Sequence, residues 1–269
     1  MDTRKINTRK IRYKKIRYKK IRILDSMLEI NKHDGPARLG KYGEQETPGI
    51  LSSDTPTPLI PDEPMPYNVP MPLAEFSVTS TIEKAKEEGQ TGIAVVHGSK
   101  YPNLRVRCAL ELEKLGNSIL LVANPEELLN RPMDLIKIMV ELRENINPNT
   151  ALYFPFIKTP FIPLLAYMGV DFFGADSNNF YSKIGQITTP HKIYDLKDYQ
   201  LYQFNLEELK KYNQQTMDFV LREVRENIKN KTLRNLVEER CCSSPETMTT
   251  LRILERDYGD YLAKYTSLY

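Results

Sequence analysis

The chain has 269 residues, of which 41% are hydrophobic and 27% charged, with a formal net charge of +3. That length and apolar content allow one large core or two modest ones, and no run approaches the roughly 18 consecutive apolar residues of a membrane span. Three cysteines, Cys108, Cys241 and Cys242, form an odd count without framework spacing, and the first residues are too charged for a secretory signal peptide; no disulfide scaffold is expected, a reducing compartment fits, and a cytoplasmic location is expected.

The charge is unevenly spread. Residues 1–22 hold eleven Lys or Arg and one Asp, whereas the remainder holds 27 basic and 34 acidic residues, so electrostatic affinity for nucleic acid has to come from this tail or from a local patch. The tail repeats itself every five residues, as Arg4-Lys5-Ile6, Arg9-Lys10-Ile11, Lys14-Lys15-Ile16 and Lys19-Lys20-Ile21, with Tyr13 and Tyr18 interleaved. A period of five matches neither a helix face nor a strand. Two readings stay open: a solvated, self-repelling arm, or an RNA-binding arm. In the second, Arg9, Lys10, Lys14, Lys15, Lys19 and Lys20 neutralise phosphates while the tyrosines stack on bases.

Residues 23–75 read as a hairpin followed by a Pro-rich linker. Asp34-Gly35-Pro36 is a turn signal, and Ala37 to Gly40 with Glu46 to Ile50 suggests a short hairpin. Seven prolines between Pro56 and Pro72 exclude an ordinary helix or central strand there. Thr79-Ser80-Thr81 predicts the start of a helix over 82–89, with Glu83 in its first turn.

Strand and helix then alternate. Gly92 to His97 is a buried strand, Leu104 to Leu115 a helix closed by Gly116, Ser118 to Val122 a strand and Pro132 to Asn145 an amphipathic helix. The stretch from Ala151 to Gln186 packs a strand (Ala151 to Phe156), a turn at Lys158-Thr159-Pro160, an apolar helix (Phe161 to Met168) and a strand (Val170 to Phe173) into one βαβ unit. Alternation over 76–176 points to a parallel sheet, either doubly wound or part of a (β/α) barrel. In either architecture the functional groups gather where strands end, here at Ile157-Lys158-Thr159 and Gly174-Ala175-Asp176. Residues 201–269 read as a helical extension, with Met217, Val220, Leu221, Val224 and Ile228 on one face of a helix over 206–230 and Ser244-Pro245-Glu246 restarting the last one.

The loop His97-Gly98-Ser99-Lys100-Tyr101 is the first candidate for ligand binding. Gly98 permits close backbone approach, and the following helix offers free N–H groups to an anion or polar heterocycle; a structural turn accounts for it equally well. Read as a string, VVHGSKYPNLR resembles the VQGGxYPxLR segment of tRNA-guanine transglycosylases, which exchange a tRNA guanine for a 7-deazaguanine base. Thr159-Pro160, Leu164, Gly169-Val170-Asp171-Phe172-Phe173-Gly174, Tyr181 and Gly185 resemble that family's TPxxxxxLxxxGVDxFD and YxxxG signature. Asp34-Gly35-Pro36-Ala37-Arg38-Leu39-Gly40 with Glu46-Thr47-Pro48, and Leu233 to Pro245, are similar to archaeal members.

The resemblance implies a partial or degenerate (β/α) TIM-type barrel, over residues 76–200, with a C-terminal α-helical extension. It implies base contacts from His97, Gly98, Ser99, Lys100, Tyr101, Lys158 and Gly174, and it also marks departures. The family's nucleophilic aspartate aligns with Gly174, which has no side chain to attack with. The DSGGFQ-type segment with the second catalytic aspartate is absent, as is the Cys-x-Cys-x-x-Cys zinc site; Cys241-Cys242 with distant His191 do not make a four-ligand set. The family's base-contacting Gln is His97 here.

The pattern is similar to the type-2 archaeal branch, archaeosine synthase, although the synthase's PCxxKPYxxSxSH motif does not occur. The expectation is a transglycosylase-like subunit of the archaeosine pathway that binds tRNA or its modified base, uses no cofactor or metal, and depends on a second protein subunit for chemistry. The rival expectations are an active transglycosylase using Asp176 and a non-enzymatic assembly protein whose C-terminal helices bind a partner.

Overall fold

The computed structural model describes residues 27–51 and 57–264. The repeated basic tail, with its six expected phosphate contacts, lies outside the described residues.

Three short antiparallel strands come first: β1 (Leu28–Asp34), β2 (Ala37–Tyr42) and β3 (Gln45–Thr47), in the order β1-β2-β3. The expected turn falls at Gly35-Pro36, and the second hairpin pairs Gly40 with Thr47. β4 (Gly49–Leu51) then leaves this meander and joins a different sheet.

Helix α1 (Met71–Glu88) begins eleven residues before Ile82, the start that Thr79-Ser80-Thr81 suggests. Pro70 is its N-cap and Pro72 sits in its first turn, where the missing N–H costs nothing. Ser77 and Thr81 are buried and turn their hydroxyls sideways onto the Pro-rich segment. Ser77 Oγ donates to Glu63 O at 2.6 Å, and Thr81 Oγ1 accepts from Glu63 N at 3.0 Å.

The alternating part follows the expected order: β5 (Ile93–Val96), α2 (Pro102–Lys114), β6 (Ile119–Val122), α3 (Pro125–Leu129), α4 (Pro132–Asn145), β7 (Ala151–Phe154), a 3-10 turn (Thr159–Phe161), α5 (Ile162–Tyr167), β8 (Phe172–Gly174) and α6 (Asp176–Lys183). The short α3 and α6 have too few residues to display a helical period, and the sequence pattern did not reveal them. Strands β4-β8-β7-β6-β5 form one parallel five-stranded sheet. On the far side of β5, Leu59 adds an isolated parallel bridge to Ile93. The Pro-rich segment is the extended loop its prolines demand, and it is packed: Ile60 and Tyr67 are buried.

A hairpin, β9 (Gln186–Thr188) and β10 (Ile193–Asp195), leads into α7 (Leu206–Asn230), which starts on an Asn205/Glu208 capping box. The expected apolar face of α7, Met217 through Ile228, is buried. Beyond it the chain breaks into α8 (Leu233–Cys241), α9 (Pro245–Asp257) and α10 (Gly259–Ala263), with Ser244 capping α9 as its sequence suggests. These helices bury their apolar faces in the same core that covers the sheet. Among the described residues, no helix is long and apolar enough to cross a membrane.

Candidate functional site

At the amino end of the sheet, immediately before β8, Asp171 is buried with two arginines. Arg38 of β2 grips both carboxylate oxygens, with Nε to Oδ1 at 3.0 Å, and Arg143 of α4 reaches Oδ2 at 3.3 Å. The Leu152 amide also donates to Oδ2, at 2.8 Å. Both guanidiniums share the Thr150 carbonyl at 3.1 Å. A buried carboxylate so enclosed fixes strand ends rather than reacting. A second link runs from the same hairpin, since Asp34 accepts from the Leu233 amide at the start of α8 (2.9 Å). Burial is the main force raising the Asp34 carboxyl, with the Leu233 bond opposing it.

At the carboxyl end, the structure brings His97, Gly98, Ser99, Lys100 and Tyr101 together in the loop after β5 and covers them with the Pro-rich segment. His97 is 4% exposed. Its Nε2 lies 2.7 Å from Asp62 Oδ2; a carboxylate only accepts, so Nε2 carries the proton and donates. Nδ1 is buried without a partner. A second proton there would have no acceptor, and burial lowers the imidazole pKa against the pull of Asp62.

The rest of the loop is tied in the same way. Ser99 Oγ donates to Pro66 O (3.0 Å), Lys100 Nζ to Asn68 Oδ1 (2.7 Å) and Tyr101 OH to Val69 O (3.1 Å). Beneath it lies the fully buried Arg105, missed in the sequence, whose guanidinium donates to the carbonyls of Ser99 (2.8 Å) and Ala123 (2.9 Å). Burial pulls its pKa down to about 10. The positive φ of Gly98 brings the backbone so close to α2 that a Cβ would stand 2.6 Å from the Arg105 nitrogen. Gly98 therefore serves helix–loop packing.

Gly174 ends β8 against the backbone that leaves β7. A Cβ built there would meet the Pro155 carbonyl oxygen at 1.8 Å, so no side chain fits without moving the β7 loop. Asp176, two residues on, is exposed in the first turn of α6, while Ser177 Oγ donates back to the Gly174 carbonyl (3.1 Å).

Lys158 stands apart from this crevice. It lines a cavity of about 470 Å³ with Tyr181, Gln186, His191, Lys192 and Glu246, where the β7 loop, the β9–β10 hairpin and the start of α9 meet. Arg240 of α8 holds one lining residue, reaching His191 Nε2 at 3.1 Å, and it also reaches both oxygens of Glu223 on α7 at 2.8 and 2.9 Å. Arginine can only donate, so His191 Nε2 is the accepting atom in this contact. Sequence reasoning did not single out Gln186 or Lys192. The signal was present in the aromatic and lysine-rich run from Lys192 to Tyr212, the same interleaving that drew attention to the tail.

Among the described residues, the zinc site of the resembled family finds no fitting donors. Cys108 and Cys241 are buried thiols pushed up to about 12 by burial, and His191 Nε2 is engaged by Arg240. Among the described residues, no three His, Cys, Asp or Glu side chains converge to hold a metal ion.

Comparison with known proteins bears on this arrangement. The chain is 31% identical over 194 residues to the archaeosine synthase of Methanocaldococcus jannaschii, covering 72% of this chain and 32% of that protein. It is 28% identical over 231 residues to the tRNA-guanine(15) transglycosylase of Thermococcus kodakarensis, covering 76% and 40%. The chain is similar to the archaeal transglycosylase-like proteins. The transglycosylase of M. jannaschii matches over 86% of the chain at 24% identity. The chain spans between about a third and two fifths of the length of these relatives. No family model matches it.

Proposed function

We propose that the chain is a tRNA-modification protein of the archaeosine pathway. In this reading it is a transglycosylase-like subunit of archaeosine synthase that works in the cytoplasm, binds tRNA or its 7-deazaguanine base, and has lost base exchange. The observation that carries the proposal is the strand end at Gly174: where the resemblance puts a nucleophilic carboxylate, the Pro155 carbonyl occupies the space a side chain needs. The similarity to an archaeosine synthase supports the pathway. Asp176 is exposed on a helix beyond that strand end, which speaks against it as a replacement. Helices α7–α9 spend their apolar faces on the core, which speaks against a pure scaffold.

A partial barrel is supported by chain length. Only six residues separate Leu51, at one edge of the sheet, from Pro58, whose carbonyl accepts from Ile93 at the other edge. Seven peptide steps span at most about 25 Å. A flat sheet sets those edges roughly 24 Å apart before any offset along the strands, so curvature relieves the span.

The experiment is a paired assay on the full chain: labelled-guanine exchange into tRNA, and tRNA binding. Binding without exchange is the expected result, and the missing chemistry should appear when a chain carrying the synthase motif is added. Exchange by the chain alone would overturn the proposal.

A further inference from the structure

The cavity at Lys158 has a chemical character that the sealed crevice lacks. Lys158 and Lys192 both line it, and neither forms an ion pair among the described residues. The one carboxylate in the lining, Glu246, is turned to the Ser244 hydroxyl of its own helix; that bond is the main force lowering its pKa, and Lys158 adds to it through space. Two lysines against one engaged carboxylate leave the cavity positive. Its volume suits a ligand the size of a nucleotide.

Lys192 also joins the cavity to an aromatic surface. Its Nζ lies 5.4 Å from the ring centre of Tyr194 and 6.0 Å from that of Tyr199. Tyr199 and Tyr202 are each about half exposed, at 49% and 51%, and Tyr202 stacks on Phe204 with centroids 4.9 Å apart. A cationic cavity beside exposed rings is the combination that holds single-stranded nucleic acid: phosphate on the lysines, bases on the aromatic faces.

We infer that this cavity and the Tyr199–Tyr202 surface form a binding site for a phosphate-bearing, unpaired nucleotide of the RNA. The inference rests on the tRNA reading above and gives it a location, with Lys158 and Lys192 taking phosphate and Tyr199 and Tyr202 taking bases. Charge complementarity selects this occupant, because an apolar protein segment would leave both lysines desolvated without a counter-charge.

The test is binding of a tRNA transcript to the full chain across a salt series. Lys158→Ala/Lys192→Ala should make the log–log salt slope shallower by roughly 1.4 to 1.8, as for the loss of two phosphate contacts. Tyr199→Ala/Tyr202→Ala should weaken binding by roughly fivefold or more and leave the slope unchanged, since stacking releases no counterions. Lys86→Ala/Lys137→Ala removes the same charge from exposed positions on α1 and α4 and should change the slope less than the cavity pair. Thermal melting of the three double variants checks that each folds intact. A wild-type chain that binds no tRNA defeats both this inference and the tRNA reading. A wild-type chain that binds, with the cavity pair indistinguishable from the α1/α4 pair, defeats the site alone.

Discussion

The two ends of the parallel sheet are built on opposite plans. At the amino end, Asp171 draws two guanidiniums and a backbone amide onto one buried carboxylate. At the carboxyl end, where such sheets place their chemistry, a neutral histidine, a serine and a tyrosine are bonded to a covering segment, and Gly174 leaves no room for a side chain. The motifs that carry the resemblance thus divide. Asp34, Arg38 and Asp171 tie hairpin, sheet and α8 together, whereas His97 and Gly174 occupy positions suited to reaction and are closed off.

This contrast can be broken most forcefully at Asp171. Asp171→Ala strands two buried arginines and should cost about 3–5 kcal/mol in denaturant unfolding; a loss under 1 kcal/mol would mean the amino-end cluster is not holding the fold. Gly174→Asp introduces a carboxylate at the strand end but forces it against backbone. About 1–3 kcal/mol of destabilisation is expected, with no gain of guanine exchange. Unchanged stability with measurable exchange would show that the carboxyl end is open.

Smaller effects probe the cover. Ser77→Ala removes the bond to Glu63 O and should cost about 0.5–1.5 kcal/mol, with faster amide exchange around Glu63. The smallest effect is a pH dependence. Burial keeps the His97 pKa below 6.5 in the fold, so on acidification the unfolded chain takes up a proton first. Stability should therefore fall as pH drops below about 6.5 and level off once the folded pKa is passed. His33 shifts in the same direction, so His97→Asn should reduce that acid loss without abolishing it. An identical acid limb in the variant would show that His97 is already charged or solvated.

Local order was legible wherever the signal was local. Pro132 to Asn145 and Leu206 to Asn230 declare their helices through apolar period and end signals, and the structure agrees at both termini. The start of α1 was misplaced because Thr79, Ser80 and Thr81 resemble capping residues, while the prolines that do begin the helix resemble a continuing loop. The site was less legible. His97 to Tyr101 carry the right residue types for a ligand loop, but their availability depends on Asp62, Pro66 and Val69, about 32 to 35 residues away.

The sequence by itself determined the alternation of the principal strands and helices, the apolar face of α7, the odd cysteine count, and the resemblance to transglycosylases, because each resides in neighbouring residues or in a readable string. Tertiary structure decided which polar groups meet. It placed Asp171 between Arg38 and Arg143, laid the Pro-rich segment over the β5 loop, set the Pro155 carbonyl where a side chain of residue 174 would stand, and gathered Lys158, His191 and Lys192 around one cavity. Such meetings depend on chain segments distant in sequence, and only packing brings them within the few ångström over which hydrogen bonds and steric contact act.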